Sequence, residues 1–207
     1  MTTPRIRVVP GLALPFFPMR PAKGRVIGDP EKAVELFYQF READDVIQPK
    51  LNGDRACVAC VSLADLTVSD RAFFKPLIVG NLAVLSQNRH GGRFNHPVNN
   101  LGLFACATSC WDGEVWKGAF YPFECLVLGG VSYLRAGPDT RTQAARRFCR
   151  SKGIPWIFNR PDEKFLRDGK ANLPFWEGFV RKRKGSPYVP CNTSNGTSEN
   201  WLKYRWE

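Results

Sequence analysis

The most informative stretch of the chain is Gln48-Pro49-Lys50-Leu51-Asn52-Gly53-Asp54-Arg55. A lysine comes just before a predicted strand, with a glycine three residues later and an arginine two residues after the glycine. The apolar run that follows, Ala56 to Leu63, predicts that strand. Taken alone, this string fits an ordinary surface lysine before a turn.

Further strings follow in a fixed order, and most of them join acidic, aromatic or basic residues to a β-like run. They are Trp111-Asp112-Gly113-Glu114-Val115, Phe120-Tyr121-Pro122-Phe123-Glu124-Cys125-Leu126, Trp176-Glu177-Gly178-Phe179-Val180-Arg181-Lys182, Ser186-Pro187-Tyr188-Val189-Pro190 and Trp201-Leu202-Lys203-Tyr204-Arg205. With the lysine stretch, they resemble the ordered motifs of the covalent nucleotidyltransferases, and most closely those of the ATP-dependent DNA ligases. The resemblance covers residues 46–206.

The resemblance implies a three-step reaction. The amine of Lys50 attacks the α-phosphate of ATP and carries AMP as a phosphoramidate. The AMP then passes to a 5′-phosphate end, and a 3′-hydroxyl displaces it to seal the strand. A lysine with a pKa near ~10.4 is almost fully protonated at neutral pH. We therefore expect Lys182, Lys203 and Arg205 to supply a cationic field that activates the amine and neutralises the triphosphate.

The resemblance also assigns the other site residues. The implied nucleotide contacts are Gln48 with the base edge, Phe123 stacked on adenine, Glu114 on the ribose, Arg55 on the sugar or the end phosphate, Lys203 and Arg205 on the α-phosphate, Lys182 on the triphosphate, and Asn52 and Gly53 in the lysine motif. Glu177, with Glu114, is expected to bind Mg²⁺ or Mn²⁺. The plainer alternatives are that Phe123 belongs to the core and that both glutamates are surface acids.

The chain departs from the family pattern at several positions. Asn52 stands where aspartate is usual, which puts the rate of lysine adenylylation in doubt and leaves RNA-containing ends open. Arg205 stands where lysine is usual, and Glu124 where aspartate is common. The stretch Leu85-Ser86-Gln87-Asn88-Arg89-His90-Gly91 resembles the family's S-R-x-G motif with glutamine after the serine, so Arg89 is the candidate for the 5′-phosphate.

The charge distribution indicates a polyanionic partner. The 207-residue chain has a net charge of +11. Residues 1–140 hold fifteen basic and thirteen acidic residues, whereas residues 141–207 hold fifteen and six. Such an excess is typical of nucleic-acid binding, although a solvated basic surface is the alternative. We expect nicked double-stranded DNA as the partner, with RNA/DNA hybrids left open, and contacts from Arg89, Arg181, Arg183 and Lys184.

The pattern of elements predicts a mixed, largely antiparallel α+β fold. The resemblance implies a nucleotidyltransferase (ATP-grasp-like) domain of largely antiparallel sheets flanked by helices, with the nucleotide cleft between them. Residues 1–28 are rich in proline and are predicted to form an extended segment. Helices are predicted from Asp29-Pro30, over Thr142 to Lys152 with Asp139 or Thr140 at the start, and over Pro161 to Arg167. The predicted strands are Ala56 to Leu63, Leu77 to Ser86, Leu103 to Thr108, Glu114 to Ala119, Phe123 to Leu128, Gly178 to Arg183 and Leu202 to Trp206. The segment Pro190 to Glu199 is predicted as a polar loop.

Residues 1–207 are expected to form one monomeric domain without an OB-fold domain, either excised from a longer enzyme or a natural minimal ligase. No apolar run is long enough to span a bilayer, and no export signal is visible, so a cytoplasmic location is expected, with bacterial, archaeal and viral origins all open. The seven cysteines are predicted to be free thiols rather than a disulfide framework. A zinc site pairing Cys57 and Cys60 with Cys106 and Cys110 is disfavoured, because positions i and i+3 of a strand point to opposite faces.

The leading functional hypothesis is an ATP- and metal-dependent DNA ligase acting in repair, replication or recombination. One alternative is an RNA ligase or a GTP-using capping-type nucleotidyltransferase, which shares the lysine chemistry. Another is a non-catalytic nucleic-acid-binding relative, which Asn52, Gln87 and the expected absence of an OB-fold domain motivate. Covalent labelling with ATP or GTP separates these hypotheses.

Overall fold

The computed structural model describes residues 5–157, 161–173, 175–193 and 196–206. Its helices are α1 (Pro30–Glu42), α2 (Val68–Phe74), α3 (Pro138–Lys152) and α4 (Glu163–Asp168). Its strands are β1 (Ile6–Val9), β2 (Leu12–Leu14), β3 (Pro21–Ile27), β4 (Val46–Leu51), β5 (Asp54–Ser62), β6 (Leu77–Val79), β7 (Leu82–Asn88), β8 (Ser109–Trp116), β9 (Ala119–Leu128), β10 (Val131–Ser132), β11 (Trp176–Lys182) and β12 (Ser198–Trp206). The fold is α+β, as the sequence predicts.

The strands form two main sheets and a small hairpin. Six strands make an antiparallel sheet in the order β10-β9-β8-β5-β7-β6. Four strands make a second sheet in the order β3-β12-β11-β4, which is antiparallel except that β3 runs parallel to β12. Strands β1 and β2 pair as a hairpin. The sheets are therefore largely antiparallel, which confirms that part of the prediction.

The apolar side chains form three cores, and these define the layers. One core includes Cys57 and Phe123 of the six-stranded sheet and Trp201 of the four-stranded sheet, so it lies between the two sheets. A second core joins the other face of the six-stranded sheet to α3. A third joins the other face of the four-stranded sheet to α1 and α4. Side chains that face inward from both sheets therefore meet in the middle of the molecule.

Local signals in the sequence explain the two long helices. The side chain of Asp29 accepts a hydrogen bond from the amide of Glu31 (3.0 Å) and caps α1, whose first residue is Pro30. Helix α3 ends at Gly153, which has φ +63° and closes the last turn at little steric cost. It begins at Pro138, a few residues earlier than the sequence predicts.

The N-terminal segment differs from the sequence-based prediction. It is extended, but it contains three paired strands rather than a structureless stretch. The prolines gave no periodicity to read, and β3 is an edge strand whose partner β12 lies at the other end of the chain. Pairing with so distant a segment leaves no local signal.

Several predicted strand boundaries are wrong. Leu77 to Ser86 is two strands, because a turn at Gly80 (φ +59°) separates β6 from β7. Leu103 to Thr108 is not a strand: the chain forms a 3₁₀ turn over Leu101–Phe104 and then a loop. The predicted strand Glu114 to Ala119 crosses the turn between β8 and β9. Strand β12 begins at Ser198, inside the predicted polar loop, of which residues 194 and 195 lie outside the described residues.

Strand β4 and helix α2 were also not predicted. Strand β4 contains Lys50 itself, so the lysine lies within a strand rather than before one. Helix α2 begins with a capping box in which Thr67 and Asp70 bond reciprocally, a signal that was present in the sequence. No helix in the described part of the chain is long and apolar enough to cross a membrane.

Candidate active site

Three neighbouring strands bring the basic motif residues onto one face of the four-stranded sheet. Gly178 in β11 pairs with Lys50 of β4 on one side and with Arg205 of β12 on the other. Two residues along, Val180 pairs with Gln48 and with Lys203 in the same way. Because side chains alternate along a strand, both sets of cross-strand neighbours lie on the same face of the sheet. Alternate residues such as Phe179 pack in the core beneath α1.

A β-bulge turns Glu177 towards this face. Trp176 pairs with Leu51 and Gly178 with Lys50, so Glu177 is an extra residue in β11. A bulge of this kind re-aims a side chain that strict alternation would send to the other face. Glu177 forms an ion pair with Lys50 and a second one with Arg205 (3.3 Å). Gly178 has φ +145°, and a Cβ there would lie 1.9 Å from the carbonyl oxygen of Tyr204, so only glycine fits.

The six-stranded sheet contributes Arg55 and Glu114, which are cross-strand neighbours on β5 and β8. Arg55 donates two hydrogen bonds to buried Asp112, from Nε (2.6 Å) and Nη2 (2.5 Å), and a third to the carbonyl oxygen of Met19 (2.8 Å). The hydroxyl of Tyr188 also donates to Asp112 (2.6 Å). These bonds hold the guanidinium in one orientation beside Lys50.

A small recess lies between the sheets beside Lys50. Its volume is about 40 Å³, and it is lined by Gln48, Phe123, Ile157, Lys182, Trp201 and neighbouring residues. Gln48 donates from Nε2 to the carbonyl oxygen of Phe123 (3.2 Å) and to Thr142 Oγ1 (3.4 Å), so pairing with a base through Nε2 would require exchange of one of these bonds. The recess has room for only a few water molecules. Side chains would have to move for a base to stack on Phe123, and that stacking stays a prediction.

A larger, polar pocket of about 460 Å³ opens next to the recess. It is lined by Arg20, Asn52, Gly53, Asp54, Arg89, His90, His96, Glu177, Lys203, Arg205 and neighbouring residues. Lys50, Arg55 and Glu114 line both cavities. Lys50 therefore lies at the junction between an apolar recess and a basic pocket.

The surroundings of Lys50 make its amine unusually easy to deprotonate. The pKa of Lys50 is lowered to about 8. Burial is the main cause, Glu114 opposes it, and the positive charges of Arg205, Arg55 and Lys203 act in the same direction as burial. Lys203 is affected in turn: partial burial and then Arg205, Arg20, Lys23 and Arg89 lower its pKa. The site is therefore a cluster of mutually repelling cations, which is suited to a polyanionic ligand.

Glu114 is the second residue with a strongly altered pKa. Burial raises the pKa of its carboxyl to about 7, although Arg55 and Lys50 pull it down. Its Oε2 is buried and has no hydrogen-bond partner. No group of three or more His, Cys, Asp or Glu among the described residues could hold a metal ion alone. Mg²⁺ characteristically uses one or two carboxylates together with substrate phosphates, and Glu114 with Glu177 fits that pattern.

Lys182 lies deeper than the sequence suggests. Its Nζ forms a fully buried ion pair with Glu124, whose other oxygen accepts a bond from Arg141 Nε (2.5 Å). The ammonium also lies over the rings of Trp201 (4.2 Å) and Phe123 (4.8 Å). Burial lowers the pKa of Lys182 to about 8. The cations that act most strongly on Lys50 are instead Arg205, Arg55 and Lys203.

The residues expected to contact nucleic acid fall in two places. Arg89 lines the polar pocket, where its Nε contacts His90 Nε2 (2.9 Å). Arg181 pairs with Asp45 (2.5 Å) and Lys184 with Asp44 (2.6 Å), so acidic neighbours compensate both charges. Arg183 is exposed. The polar pocket is not lined by Arg181, Arg183 or Lys184. Their role in nucleic-acid binding stays a prediction.

Three residues around the site had no assigned role in the sequence. Arg20 and Lys23 come from the N-terminal segment, and no motif marks them. Asp112 lies inside a quoted motif, two residues before Glu114, but only the fold shows that it anchors Arg55.

Cys57 and Cys60 lie in different cores, on opposite faces of the six-stranded sheet, as their spacing predicts.

Solved structures with the same fold are ligase domains. The chain is similar to mycobacterial DNA ligase D complexed with ATP and MES, at 17% identity and a TM-score of 0.58, over 92% of this chain and 60% of that one. It is similar to the ligase domain of Mycobacterium tuberculosis LigD, at 17% identity and a TM-score of 0.59, over 92% and 59% of the two chains. The fold is therefore that of a ligase nucleotidyltransferase domain.

A Naegleria gruberi RNA ligase is also similar, at 16% identity over 92% of this chain and 61% of that one, but its TM-score of 0.38 is too low to support an argument. No family model matches the sequence, and no curated protein matches it. The chain spans about 60% of the length of the ligase structures it matches.

Proposed function

We propose that the protein is an ATP-dependent polynucleotide ligase that works through a lysyl-AMP intermediate on Lys50. The observation that carries this proposal is the position of Lys50, at the junction of an apolar recess and a basic pocket, with a pKa lowered to about 8. A nucleotide has the same two halves, an apolar base and a phosphate chain. Once side chains of the recess move to admit the base, binding each half in its cavity would bring the α-phosphate to the amine.

The first step uses the neutral amine. Lys50 Nζ attacks the α-phosphorus, a P–N bond forms, the bond to pyrophosphate breaks, and one proton is released to solvent. Arg205 and Lys203 flank the amine and would neutralise charge that develops on the phosphate oxygens. Glu177 contacts Nζ and holds it in place. Glu114 and Glu177 would hold Mg²⁺ or Mn²⁺, which supplies further charge neutralisation when bound with the triphosphate.

The later steps would use the same pocket. An oxygen of a 5′-phosphate attacks the AMP phosphorus, which frees Lys50 and leaves an adenylylated end. A 3′-hydroxyl then attacks that 5′-phosphate, a phosphodiester bond forms, and AMP leaves. Arg89 on the pocket wall is our candidate for the 5′-phosphate contact. The fold is shared with DNA ligase domains, and we propose nicked DNA as the substrate, with RNA-containing ends kept open by Asn52.

Intact-mass spectrometry tests the first step. The purified protein is treated with pyrophosphate to remove any bound AMP and is then incubated with ATP or GTP and Mg²⁺. We expect a mass increase of one AMP with ATP, and none with GTP. Lys50→Arg keeps the positive charge but removes the nucleophile, so it should stay unmodified, whereas Lys170→Arg, an exposed control, should behave like the wild type. A wild-type protein that acquires no adduct would refute the proposal.

The polynucleotide substrate is tested separately. Nicked all-DNA, all-RNA and hybrid duplexes are incubated with the protein and ATP, and products are separated on denaturing gels. If the DNA nick is sealed fastest, the result supports a DNA ligase. If RNA ends are sealed fastest, the enzyme is an RNA ligase instead. If the lysyl-AMP forms but no substrate is sealed, the ligase assignment fails while the nucleotidyl transfer stands.

A further inference from the structure

The outer face of α3 carries three arginines with no acidic partner. Arg146, Arg147 and Arg150 are exposed and lie on one side of the helix, since they are separated by one, three and four positions. None of them takes part in an ion pair within the described part of the chain. This basic face accounts for part of the charge excess in the last third of the sequence.

The arrangement has a cost for the helix. Like charges at i and i+4, as at Arg146 and Arg150, destabilise a helix by a few tenths of a kcal/mol, about as much as opposite charges stabilise it. The only acidic residue of α3 is Asp139, in its first turn. Other basic residues of this protein are compensated: Arg167, Arg181 and Lys184 each pair with a carboxylate. An uncompensated basic face is complementary to a polyanion.

A groove of about 450 Å³ runs along the same helix. It is lined by Leu128, Tyr133, Thr140, Gln143, Ala144, Arg147, Phe148 and Ser151. The lining therefore contains two half-buried aromatic residues, Tyr133 and Phe148, and no acidic residue. Arg147 belongs both to the groove and to the basic face.

We infer that this face and groove bind a single strand of nucleic acid. The three arginines contact consecutive phosphates, and a base enters the groove beside Tyr133 and Phe148. Aromatic side chains next to a basic surface are the usual features of single-strand binding, since every base has a face that can stack. Helix α3 packs on the side of the six-stranded sheet that faces away from Lys50. The inferred site is therefore separate from the proposed catalytic site and does not depend on its chemistry.

Fluorescence anisotropy with a labelled oligothymidine tests this inference. The triple variant Arg146→Gln, Arg147→Gln, Arg150→Gln is compared with a control that loses the same charge elsewhere, at exposed Arg7, Lys32 and Lys170. We expect the α3 variant to bind at least about tenfold more weakly at low salt, and its slope of log K against log[salt] to fall by about 2, for three phosphate contacts. The control should stay within about twofold of the wild type.

Two further measurements separate a single-strand site from general basicity. Tyr133→Ala should weaken binding of the oligothymidine and leave binding of a blunt DNA duplex unchanged. The urea midpoint of the α3 variant, followed by tryptophan fluorescence, should be no lower than that of the wild type, which shows that the variant is folded. Equal losses in the α3 variant and the control, or equal effects of Tyr133→Ala on single strand and duplex, would overturn the inference.

Discussion

At the scale of single residues, the proposed chemistry depends on one lysine, Lys50, whose ammonium form is destabilised by burial and by neighbouring cations. Lys50 is largely buried, and the cations around it outnumber the carboxylates that would stabilise its ammonium form. A pKa of about 8 leaves roughly a tenth of the amine neutral at pH 7, several hundredfold more than for an ordinary lysine. Arg55 contributes to this effect because Asp112 and Tyr188 hold it against the site.

The pH dependence of adenylylation follows from this pKa. Because only the neutral amine attacks, the single-turnover rate at ATP concentrations well below saturation, which reports the free protein, should rise about tenfold between pH 7 and pH 9 and then level off. An unperturbed lysine would instead give a rate that still rises steeply at pH 10. Rapid-quench measurement of the lysyl-AMP adduct across this range checks the expectation.

Two variants should move the midpoint of that profile in opposite directions. Lys203→Gln removes a cation that lowers the pKa of Lys50, so the midpoint should shift to higher pH. Glu114→Gln removes a carboxylate that raises the pKa of Lys50, so the midpoint should shift to lower pH. Shifts in the same direction would contradict the electrostatic account.

At the scale of secondary-structure elements, strand β11 is the element that assembles the site. It lies between β4 and β12 and pairs with both, and its bulge brings Glu177 to Lys50. Gly178 is the residue that permits this arrangement. Its φ of +145° and the short distance to the Tyr204 carbonyl leave no space for a side chain.

Gly178→Ala should therefore disrupt the centre of the four-stranded sheet. We expect the free energy of unfolding to fall by more than about 3 kcal/mol, because backbone atoms must move to admit the methyl group. Gly153→Ala is the matched control: its φ is also positive, but no atom lies within 4 Å of the added Cβ, so it should cost only about 1–2 kcal/mol. Urea denaturation followed by tryptophan fluorescence measures both, and similar losses in the two variants would contradict the packing argument.

At the scale of the whole molecule, a buried ionic cluster ties the two sheets and α3 together. Glu124 of β9 bridges Lys182 of β11 and Arg141 of α3, and all three side chains are buried. Arg141 also donates to the carbonyl oxygen of Ser186 (3.0 Å). A buried charge is tolerated only when it is paired, so the cluster fixes how the layers dock.

Removing the shared carboxylate should be far more damaging than removing one cation. Glu124→Leu leaves two buried cations unpaired and should lower the free energy of unfolding by about 3–5 kcal/mol. Lys182→Met leaves the pair of Glu124 and Arg141 intact and should cost clearly less. Chemical denaturation of the two variants checks the order, and a reversed order would show that the cluster is not organised around Glu124.

The sequence by itself determined the fold class and the two long helices, and its motifs included several of the residues that the structure brings together around Lys50. These follow from local information: apolar periodicity, helix caps at Asp29 and Gly153, and motifs whose residue types suit nucleotidyl transfer. The ordered motifs resemble those of ATP-dependent ligases, and the structure places Lys50, Arg55, Glu114, Glu177 and Lys203 around one pocket.

Only the tertiary structure decided the pairing of β3 with β12, the inward turn of Glu177, the depth of Lys182 and the uncompensated face of α3. Each of these depends on which distant segments meet. Alternation along β11 would send Glu177 to the wrong face, and a bulge is visible only once the partner strand is known. Likewise, Asp45 and Asp44 compensate the positive charges of Arg181 and Lys184. These partners are more than a hundred positions apart, so the local sequence does not show that they are close.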